Sequence, residues 1–271
     1  MKINEMPQGR WFEGKTAFIT GGGSGINFGI ARNFASLGAN VAICSRNQER
    51  LDAAAEELRK QGGKVLAVSA DVRNADEVAA ALEKSKDELG PASVVVAGAA
   101  GNFPCAAEKL SSNGFKTVVE IDLLGSFNTA RLAFDQLKET RGSILFISAG
   151  QSFHPYMHQV HVGAAKAGID NMMRNLALEW GRFQIRSNSI APGFIGDTEG
   201  TRRVAGDAAI SSVLQNTPLS RLGTVDDVGQ MACFLASPLA SFVTGALIVV
   251  DGGHYLGGSS SVNSILASAT A

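Results

Sequence analysis

Short apolar runs alternate along this chain with longer segments in which apolar residues recur at helical spacing. The short runs are rich in β-branched residues and apolar at consecutive positions, which is typical of strands covered on both faces in a parallel sheet. Seven strands are predicted: Thr16–Thr20, Asn40–Ser45, Val65–Ser69, Ser93–Val96, Ser143–Ser148, Arg186–Ala191 and Leu247–Asp251. Six helices are predicted: Gly29–Leu37, Asn47–Gln61, Ala75–Leu89, Asn113–Glu139, Val160–Arg182 and Thr224–Ala236.

This alternation predicts right-handed crossovers and an α/β fold: a single-domain, Rossmann-like, doubly wound parallel sheet with about seven strands and helices on both faces. We expect an N-terminal extension over residues 1–14, the sheet domain over 15–256 and a flexible tail over 257–271. Residues 193–222 form one irregular stretch that is too long for an ordinary connection. Because it follows a strand, it is predicted to be a substrate lid.

The composition excludes several classes of protein. Of the 271 residues, 45% are hydrophobic and 18% are charged, the profile of a well-packed globular chain. The 24 basic and 25 acidic residues nearly cancel, so no overall field would attract a nucleic acid or an anionic membrane surface.

Cysteine usage and the apolar pattern add little further chemistry. Cys44, Cys105 and Cys233 lie far apart in sequence and are odd in number, which favours neither a disulfide framework nor a metal site. No apolar run is long enough to span a membrane. A signal-peptide pattern and a Ser-Lys-Leu ending are both missing, so we expect a cytoplasmic protein with no membrane, nucleic-acid or metal partner.

A glycine cluster follows the first predicted strand directly and precedes a helix. In this context backbone N–H groups and a helix N-terminus can cradle a pyrophosphate. The candidate cofactor residues in the cluster are Gly21, Gly23, Ser24, Gly25 and Ile26. The alternative is a tight turn with no ligand, but its place after the first strand of a βαβ unit favours a dinucleotide site.

The end of the second strand discriminates between the two nicotinamide dinucleotides. An acidic residue there would bind the ribose hydroxyls, whereas this strand ends in Ser45 and Arg46. A hydroxyl and a guanidinium suit a 2′-phosphate, so NADPH (NADP+) is predicted, the alternative for Arg46 being a solvated residue at a helix start. Asp71, after the third strand, could accept a hydrogen bond from the adenine amino group or cap the following helix.

Together with later motifs, these residues resemble the short-chain dehydrogenase/reductase family from about Lys15 to Gly253. The matching motifs are Thr20-Gly21 with Gly25, Asp71-Val72, Ala99-Ala100-Gly101, Lys166 in a helix, Pro192-Gly193 and Val250-Asp251-Gly252-Gly253. The resemblance implies the Rossmann-like fold and further cofactor contacts from Val72, Ala99, Gly101, Lys166, Pro192, Gly193, Ile195 and Thr198. It places Lys166 at the nicotinamide ribose hydroxyls and Thr198 at the carboxamide.

The chain departs from the family pattern in its phosphate turn and beside the fourth strand. Asn27 stands where the family usually has its last glycine, which bears on the path of the turn. Ala97-Gly98 replace a pair of asparagines. We expect this replacement to remove side-chain hydrogen bonds that normally brace the fourth strand.

The catalytic positions depart further. Ketone-reducing members use a tyrosine four residues before the lysine and a serine thirteen residues before the tyrosine, and these positions hold Val162 and Ala149. The position of a family asparagine holds Asp122. Because neither Val162 nor Ala149 can donate a proton, carbonyl reduction is not expected.

One subfamily, the peroxisomal-type 2,4-dienoyl-CoA reductases, is similar in these positions. The similar segments are Ala99–Phe103, Ile121-Asp122, Gln159–His161, Ala165–Ala167, Thr198–Gly200 with Arg202-Arg203, and Ser237–Ser241. This resemblance implies hydride transfer from NADPH to a conjugated acyl-CoA thioester, with water as proton source and Asp122 and Lys166 as catalytic residues. Asn102, Phe103, Arg202 and Arg203 are candidate substrate residues.

Several alternatives stay open at this point. Asp122 and Lys166 could form a purely structural ion pair, and His161, His158 or Tyr156 could donate the proton, although loop histidines and a pocket wall are favoured for these three. The protein could be another enoyl-thioester, quinone or carbonyl reductase, or an inactive NADP-binding partner. A homo-oligomer, dimer or tetramer, is expected by resemblance, with Asn113–Glu139 and Val160–Arg182 at its interfaces.

Overall fold

The computed structural model describes residues 9–196, 198, 201 and 207–257. Its strands are β1 (Thr16–Thr20), β2 (Asn40–Ser45), β3 (Val65–Ser69), β4 (Ala92–Ala97), β5 (Ser143–Ile147), β6 (Arg186–Pro192) and β7 (Leu247–Val250). Its helices are α1 (Gly25–Ser36), α2 (Gln48–Arg59), α3 (Ala75–Leu89), α4 (Ser112–Val119), α5 (Gly125–Thr140), α6 (Val160–Trp180), α7 (Asp207–Gln215) and α8 (Val225–Ala236). None of these helices is long and apolar enough to cross a bilayer.

The strands form one parallel sheet in the order β3-β2-β1-β4-β5-β6-β7. The order reverses between β1 and β4, and in open α/β sheets a crevice forms at such a point, beyond the carboxyl ends of the strands. The predicted fold class, a single doubly wound Rossmann-like domain of seven strands, is confirmed.

Side chains from both faces of the sheet enter separate apolar layers. Phe18 and Ile19 are adjacent in β1, fully buried, and belong to opposite layers. Since consecutive strand residues point to opposite faces, a strand covered on both sides has apolar residues at most consecutive positions. All five residues of β1 and of β5 are buried, which explains the uninterrupted apolar runs in the sequence.

Close packing between α1 and α8 sets the orientation of the helix that follows the glycine turn. A Cβ atom on Gly29 would lie 2.4 Å from Val225 Cβ, so only glycine permits this approach. Arg32 and Asn33 both donate to the Asp226 carboxylate at 2.8 Å. These contacts hold α1 from its far side and leave its N-terminus directed toward the crevice end of the sheet.

Part of the segment expected to be an N-terminal extension packs into the core. Phe12 is fully buried and its ring meets Phe34 edge-on, with centroids 4.9 Å apart. Its backbone N–H donates to Leu37 O at 3.0 Å. Residues 9–14 therefore close the end of the layer that contains α1.

The segment predicted as one helix over Asn113–Glu139 is interrupted by a π-helical turn, Glu120–Leu124, between α4 and α5. Apolar periodicity continues through the turn, so the sequence pattern conceals it. A Cβ on Gly125 would lie 2.5 Å from Val72 Cγ2, and the missing side chain lets the helix approach the strand layer at that point. Wider turns of this kind are frequent at functional sites, and this one carries Asp122.

The stretch 193–222, predicted to be irregular, contains a helix, α7. Its apolar residues Ile210, Val213 and Leu214 recur at helical spacing. This pattern is short, and no helix was predicted from it. Arg202 and Arg203, predicted to contact substrate from this stretch, lie outside the described residues.

Candidate active site

The turn after β1 has the backbone geometry of a phosphate-binding loop. Gly21 (φ +73°) and Gly25 (φ +58°) occupy the left-handed region that favours glycine. Ser24, the N-cap of α1, makes no side-chain capping bond, and the first turn of α1 holds no acidic residue. The first N–H groups of α1 therefore lack a side-chain acceptor and a competing negative charge, which suits an anionic group.

A cavity of about 520 Å³ opens beside this turn, at the carboxyl ends of the strands, a size typical of cofactor and substrate sites. Among the predicted site residues, those that line it are Ser24, Gly25, Ile26, Gly101, Asn102, Asp122, Lys166, Pro192, Gly193, Ile195 and Thr198. Within the described part of the chain, no cluster of three or more His, Cys, Asp or Glu could hold a metal ion.

The remaining predicted residues that the structure describes do not line the cavity: Gly21, Gly23, Ser45, Arg46, Asp71, Val72, Ala99 and Phe103. Gly23 sits beside the side chains of Ser45 and Arg50, since a Cβ there would lie 3.5 Å from Ser45 Oγ and 3.6 Å from Arg50 Cγ. Arg50 lines the cavity and was missed from the sequence. The sequence feature that could have identified Arg50 is its position four residues after Arg46, as a second cation near the start of α2.

Asp71 is engaged by a neighbouring arginine and does not cap a helix. Arg73 Nε donates to both Asp71 carboxylate oxygens at 3.0 Å, and this hydrogen bond lowers the pKa of Asp71. The N-cap of α3 is Asn74, whose side chain accepts from Asp76 N and Glu77 N. The capping alternative for Asp71 is therefore wrong.

A buried ion pair occupies the floor of the cavity. Asp122 is fully buried and Lys166 is 5% exposed, with 3.1 Å between Lys166 Nζ and Asp122 Oδ2. Lys166 Nζ also donates to Ile147 O at 2.9 Å, and Gly101 N donates to Asp122 Oδ1 at 2.7 Å. The two charges are therefore held by contacts from three parts of the chain: the π-helical turn, the end of β5 and the loop after β4.

The two carboxylate oxygens of Asp122 differ in their environment. Oδ1 is occupied by Gly101 N, whereas Oδ2 has a charge contact with Lys166 but no aligned hydrogen bond from any described residue. A buried carboxylate oxygen normally accepts at least one hydrogen bond. Asp122 is part of the cavity lining, and Oδ2 is the carboxylate oxygen that keeps unused hydrogen-bond acceptor capacity.

The cavity wall contains no tyrosine or serine at the positions used by ketone reductases. Val162 and Ala149 line it instead. Ser148 is adjacent, but its hydroxyl donates to Asp170 Oδ2 at 2.8 Å. Tyr156 also lines the cavity, and burial together with the Asp251 charge raises its pKa to about 12, which makes it a poor proton donor.

His161 lies one residue before the cavity-lining Val162, and its ring packs at a tilt against Phe103, with 4.5 Å between ring centroids. It is fully buried. Burial lowers its pKa, against opposing effects from the Phe103 backbone and the Asp122 charge. Lowered basicity favours a neutral ring at ordinary pH, and the ring is absent from the cavity lining.

A second histidine, His254, was not predicted and lines the cavity near α7. Thr217 Oγ1 donates to Val213 O at 2.7 Å and lies 3.2 Å from His254 Nδ1. Since the Thr217 hydrogen is already used, its oxygen accepts from Nδ1–H, and Nε2 carries the lone pair. Nε2 is buried and has no hydrogen-bond partner among the described residues. The pair ties the segment after α7 to the turn after β7.

The prediction that β4 loses its stabilising side-chain hydrogen bonds is wrong. The side-chain amide of Asn27 in α1 supplies such a bond. Asn27 Nδ2 donates to Gly98 O at 2.7 Å, and Thr20 Oγ1 accepts from Gly98 N at 3.1 Å. A Cβ on Gly98 would lie 2.2 Å from Asn27 Oδ1. The two departures from the family pattern are therefore coupled: an amide side chain at position 27 requires glycine at position 98.

Comparison with known proteins agrees with this site. Residues 21–255 match the family model described as Enoyl-(Acyl carrier protein) reductase. A peroxisomal 2,4-dienoyl-CoA reductase [(3E)-enoyl-CoA-producing] of Saccharomyces cerevisiae is 47% identical over 256 residues, covering 92% of this chain and 88% of that protein.

Two solved structures share the fold across the whole domain. The 7α-hydroxysteroid dehydrogenase complexed with NADH and 7-oxo glycochenodeoxycholic acid gives a TM-score of 0.86 at 30% identity, covering 89% of this chain and 94% of that one. An NADPH-bound short-chain oxidoreductase of Pseudomonas aeruginosa PAO1 that contains an atypical catalytic centre gives a TM-score of 0.83 at 29% identity, covering 90% and 98%.

The chain therefore belongs to the short-chain dehydrogenase/reductase family and is an oxidoreductase of that class. Within the family it is similar to the peroxisomal-type 2,4-dienoyl-CoA reductases, as its motifs indicated. The family resemblance inferred from the sequence is confirmed.

The coupling of Asn27 and Gly98 can be tested by exchanging the two residues. Asn27→Gly should lose one hydrogen bond, about 0.5–1.5 kcal/mol of unfolding free energy, and Gly98→Asn should cost about 1–3 kcal/mol through overpacking. The double variant should recover most of both losses, as measured by chemical denaturation. Gly181→Ala is the control, because a Cβ there meets nothing within 4 Å. Additive losses in the double variant would contradict the coupling.

Proposed function

We propose that this protein reduces a conjugated 2,4-dienoyl-CoA thioester with NADPH, using water as the source of the proton. The observation that carries the proposal is the cavity floor: a buried Asp122–Lys166 pair in which the ion-paired oxygen Oδ2 accepts no aligned hydrogen bond from the described residues, beside Val162 and Ala149. The similarity to named 2,4-dienoyl-CoA reductases supports the same substrate class.

The residues present fit a nicotinamide dinucleotide. The uncapped, acid-free start of α1 and the two left-handed glycines suit a pyrophosphate. Arg50, which lines the cavity near Gly23, and Arg46 at the end of β2 provide cations for a 2′-phosphate. Lys166 would hold the nicotinamide ribose, and Thr198, buried at the cavity wall, the carboxamide. When bound, the reduced cofactor supplies a hydride.

Lys166 stabilises the charge that the reaction creates. Addition of a hydride at C5 of the dienoyl group moves an electron pair through the conjugated system onto the thioester oxygen. A fixed ammonium group in a cavity floor shielded from solvent lowers the energy of this enolate more than it would in water. The bond from Nζ to Ile147 O keeps the ammonium in place before substrate arrives.

Asp122 positions the proton donor. Oδ2, which pairs with Lys166 but accepts no aligned hydrogen bond from the described residues, would accept one hydrogen of a water molecule, which leaves the other hydrogen for the α-carbon of the enolate. Collapse of the enolate with this proton gives a 3-enoyl thioester, and bulk solvent restores the water. Because Gly101 N and Lys166 both act on the carboxylate, its orientation is set before the water binds, a general acid-base role exercised through solvent.

Exposed apolar side chains on two helices support a proposal about self-association. Leu124 and Phe127 project from α5 and its preceding turn, and Leu178 of α6 is 84% exposed. We propose that these helices form the interfaces of a homo-oligomer, since exposed large apolar side chains on them are suited to burial against a second copy.

A substrate panel tests the proposed activity. Purified protein should oxidise NADPH, followed by absorbance, with a 2,4-dienoyl-CoA and only slowly with a ketoacyl-CoA, because Val162 and Ala149 cannot protonate a carbonyl oxygen. Equal rates on the two thioesters would refute the proton route. Tight NADPH binding with no turnover on dienoyl-, enoyl- or ketoacyl-CoA would instead indicate a binding protein without catalysis.

Cofactor preference is predicted from the basic groups around Gly23. NADPH should bind at least tenfold more tightly than NADH, about 1.4 kcal/mol, in isothermal titration calorimetry. Arg46→Ala should weaken NADPH selectively. Arg59→Ala removes an exposed arginine at the far end of α2 and is the matched control. Equal dissociation constants for both cofactors in the unsubstituted protein would disprove the preference.

Asp122→Asn and Lys166→Ala should each lower kcat by about 10²–10⁴-fold, the range of general acid-base assistance, with smaller changes in KM. The double variant should lose less than the product of the two effects, because the residues act on one transition state. Steady-state kinetics and melting temperatures are measured together. Glu57→Gln, which breaks the exposed Lys60 pair at the end of α2, controls for the loss of an ion pair. Near-normal turnover of Asp122→Asn with a lowered melting temperature would show a purely structural pair.

A further inference from the structure

A second, smaller cavity lies at the opposite end of the sheet, where the strands begin. Its volume is about 80 Å³, room for several groups the size of water, each needing about 10–15 Å³. Its polar lining residues are Lys15, Ser93, Thr140, Arg141, Ser143 and Arg186. Ser143 and Arg186 open β5 and β6, and Lys15 directly precedes β1. The sheet separates this cavity from the active site by roughly 15–20 Å, the length of a strand.

The cavity is positively charged without a compensating carboxylate. No Asp or Glu occurs among the described residues that line it. Burial lowers the pKa of Lys15 and the nearby charge of Arg186 lowers it further, while burial also lowers the pKa of Arg186. Neither cation has an ion pair within the described ranges. Two partly desolvated positive charges thus repel one another across a common space.

The hydrogen bonds of Arg186 leave part of its guanidinium unused. Its Nη atoms donate to backbone carbonyls at the end of α8 and beyond, those of Leu235, Ser237 and Val243. These acceptors are neutral, so they satisfy the donors without cancelling the charge. Nε makes no hydrogen bond to the described residues.

An unpartnered hydroxyl is an independent sign that the cavity has a ligand. Ser143 is 1% exposed, and its Oγ has no hydrogen-bond partner among the described residues. Buried hydroxyls are nearly always hydrogen-bonded, to protein or to an ordered molecule. A water molecule would satisfy Ser143 but not the two cations, whereas an anion would satisfy all three groups.

We propose that this cavity binds a small inorganic anion, a halide or a phosphate-like oxyanion, between Lys15 Nζ, Arg186 Nε and Ser143 Oγ. The anion would join the starts of β1, β5 and β6, together with the end of α8 through Arg186. It would thereby stabilise the fold from the side remote from catalysis.

The test compares thermal unfolding in chloride, bromide, phosphate and glutamate at constant ionic strength. The small anions should raise the melting temperature saturably, by roughly 2–4 °C over glutamate. Lys15→Gln and Ser143→Ala should remove this response, and Lys84→Gln, an exposed lysine on α3, should keep it. A halide response without a phosphate response, or the reverse, identifies the natural occupant.

Two further measurements distinguish anion binding by Lys15 from a purely structural role of its side chain. In glutamate buffer Lys15→Gln should be at least as stable as the unsubstituted protein, because it removes a repulsion. Crystals soaked in bromide should show an anomalous peak in the cavity. Identical melting temperatures in every anion for the unsubstituted protein would overturn the proposal, and so would a cavity that contains only water in crystals soaked in the anion that raises the melting temperature.

Discussion

The buried pair of Asp122 and Lys166 is the interaction on which the site depends. Removing two charges from water costs several kcal/mol per ion, and their attraction offsets this only with good geometry and further hydrogen bonds. The structure supplies those bonds from Gly101 N and Ile147 O. The π-helical turn brings the carboxylate inward, and the glycine at its end lets that turn approach Val72. Several local irregularities in the chain therefore serve one requirement, the placement of two opposite charges under a cavity.

The turn after β1 shows how a bracing contact can be kept when the residues that supply it are exchanged. The family pattern places a glycine in the turn and amides at the end of the fourth strand, whereas this chain reverses the arrangement with Asn27 and Gly98. The same carbonyl region is braced, but the donor now comes from the helix. Compared one position at a time, the sequence departs from the family pattern at both residue 27 and residue 98. The hydrogen bond between Asn27 and Gly98 shows that these two departures are one rearrangement.

Most of the fold was predictable because it rests on local patterns. Strands such as Thr16–Thr20 and Asn40–Ser45 agree residue for residue, since the central positions of a strand buried on both faces are apolar at consecutive residues. Asp122 and Lys166 were found by counting from motifs. Arg50 and His254 were missed because their role depends on the way α2 and the turn after β7 pack around the cavity. The π-helical turn was hidden because the apolar period of Asn113–Glu139 continues through it.

The turn that ends the described chain lies at the cavity mouth. His254 and Tyr255 both line the cavity, and the Tyr255 ring packs near Phe153, with centroids 5.9 Å apart. Mutational changes in this short segment can reshape the entrance without touching the sheet, the glycine turn or the ion pair. Substrate range can therefore evolve, or be engineered, separately from the ion pair.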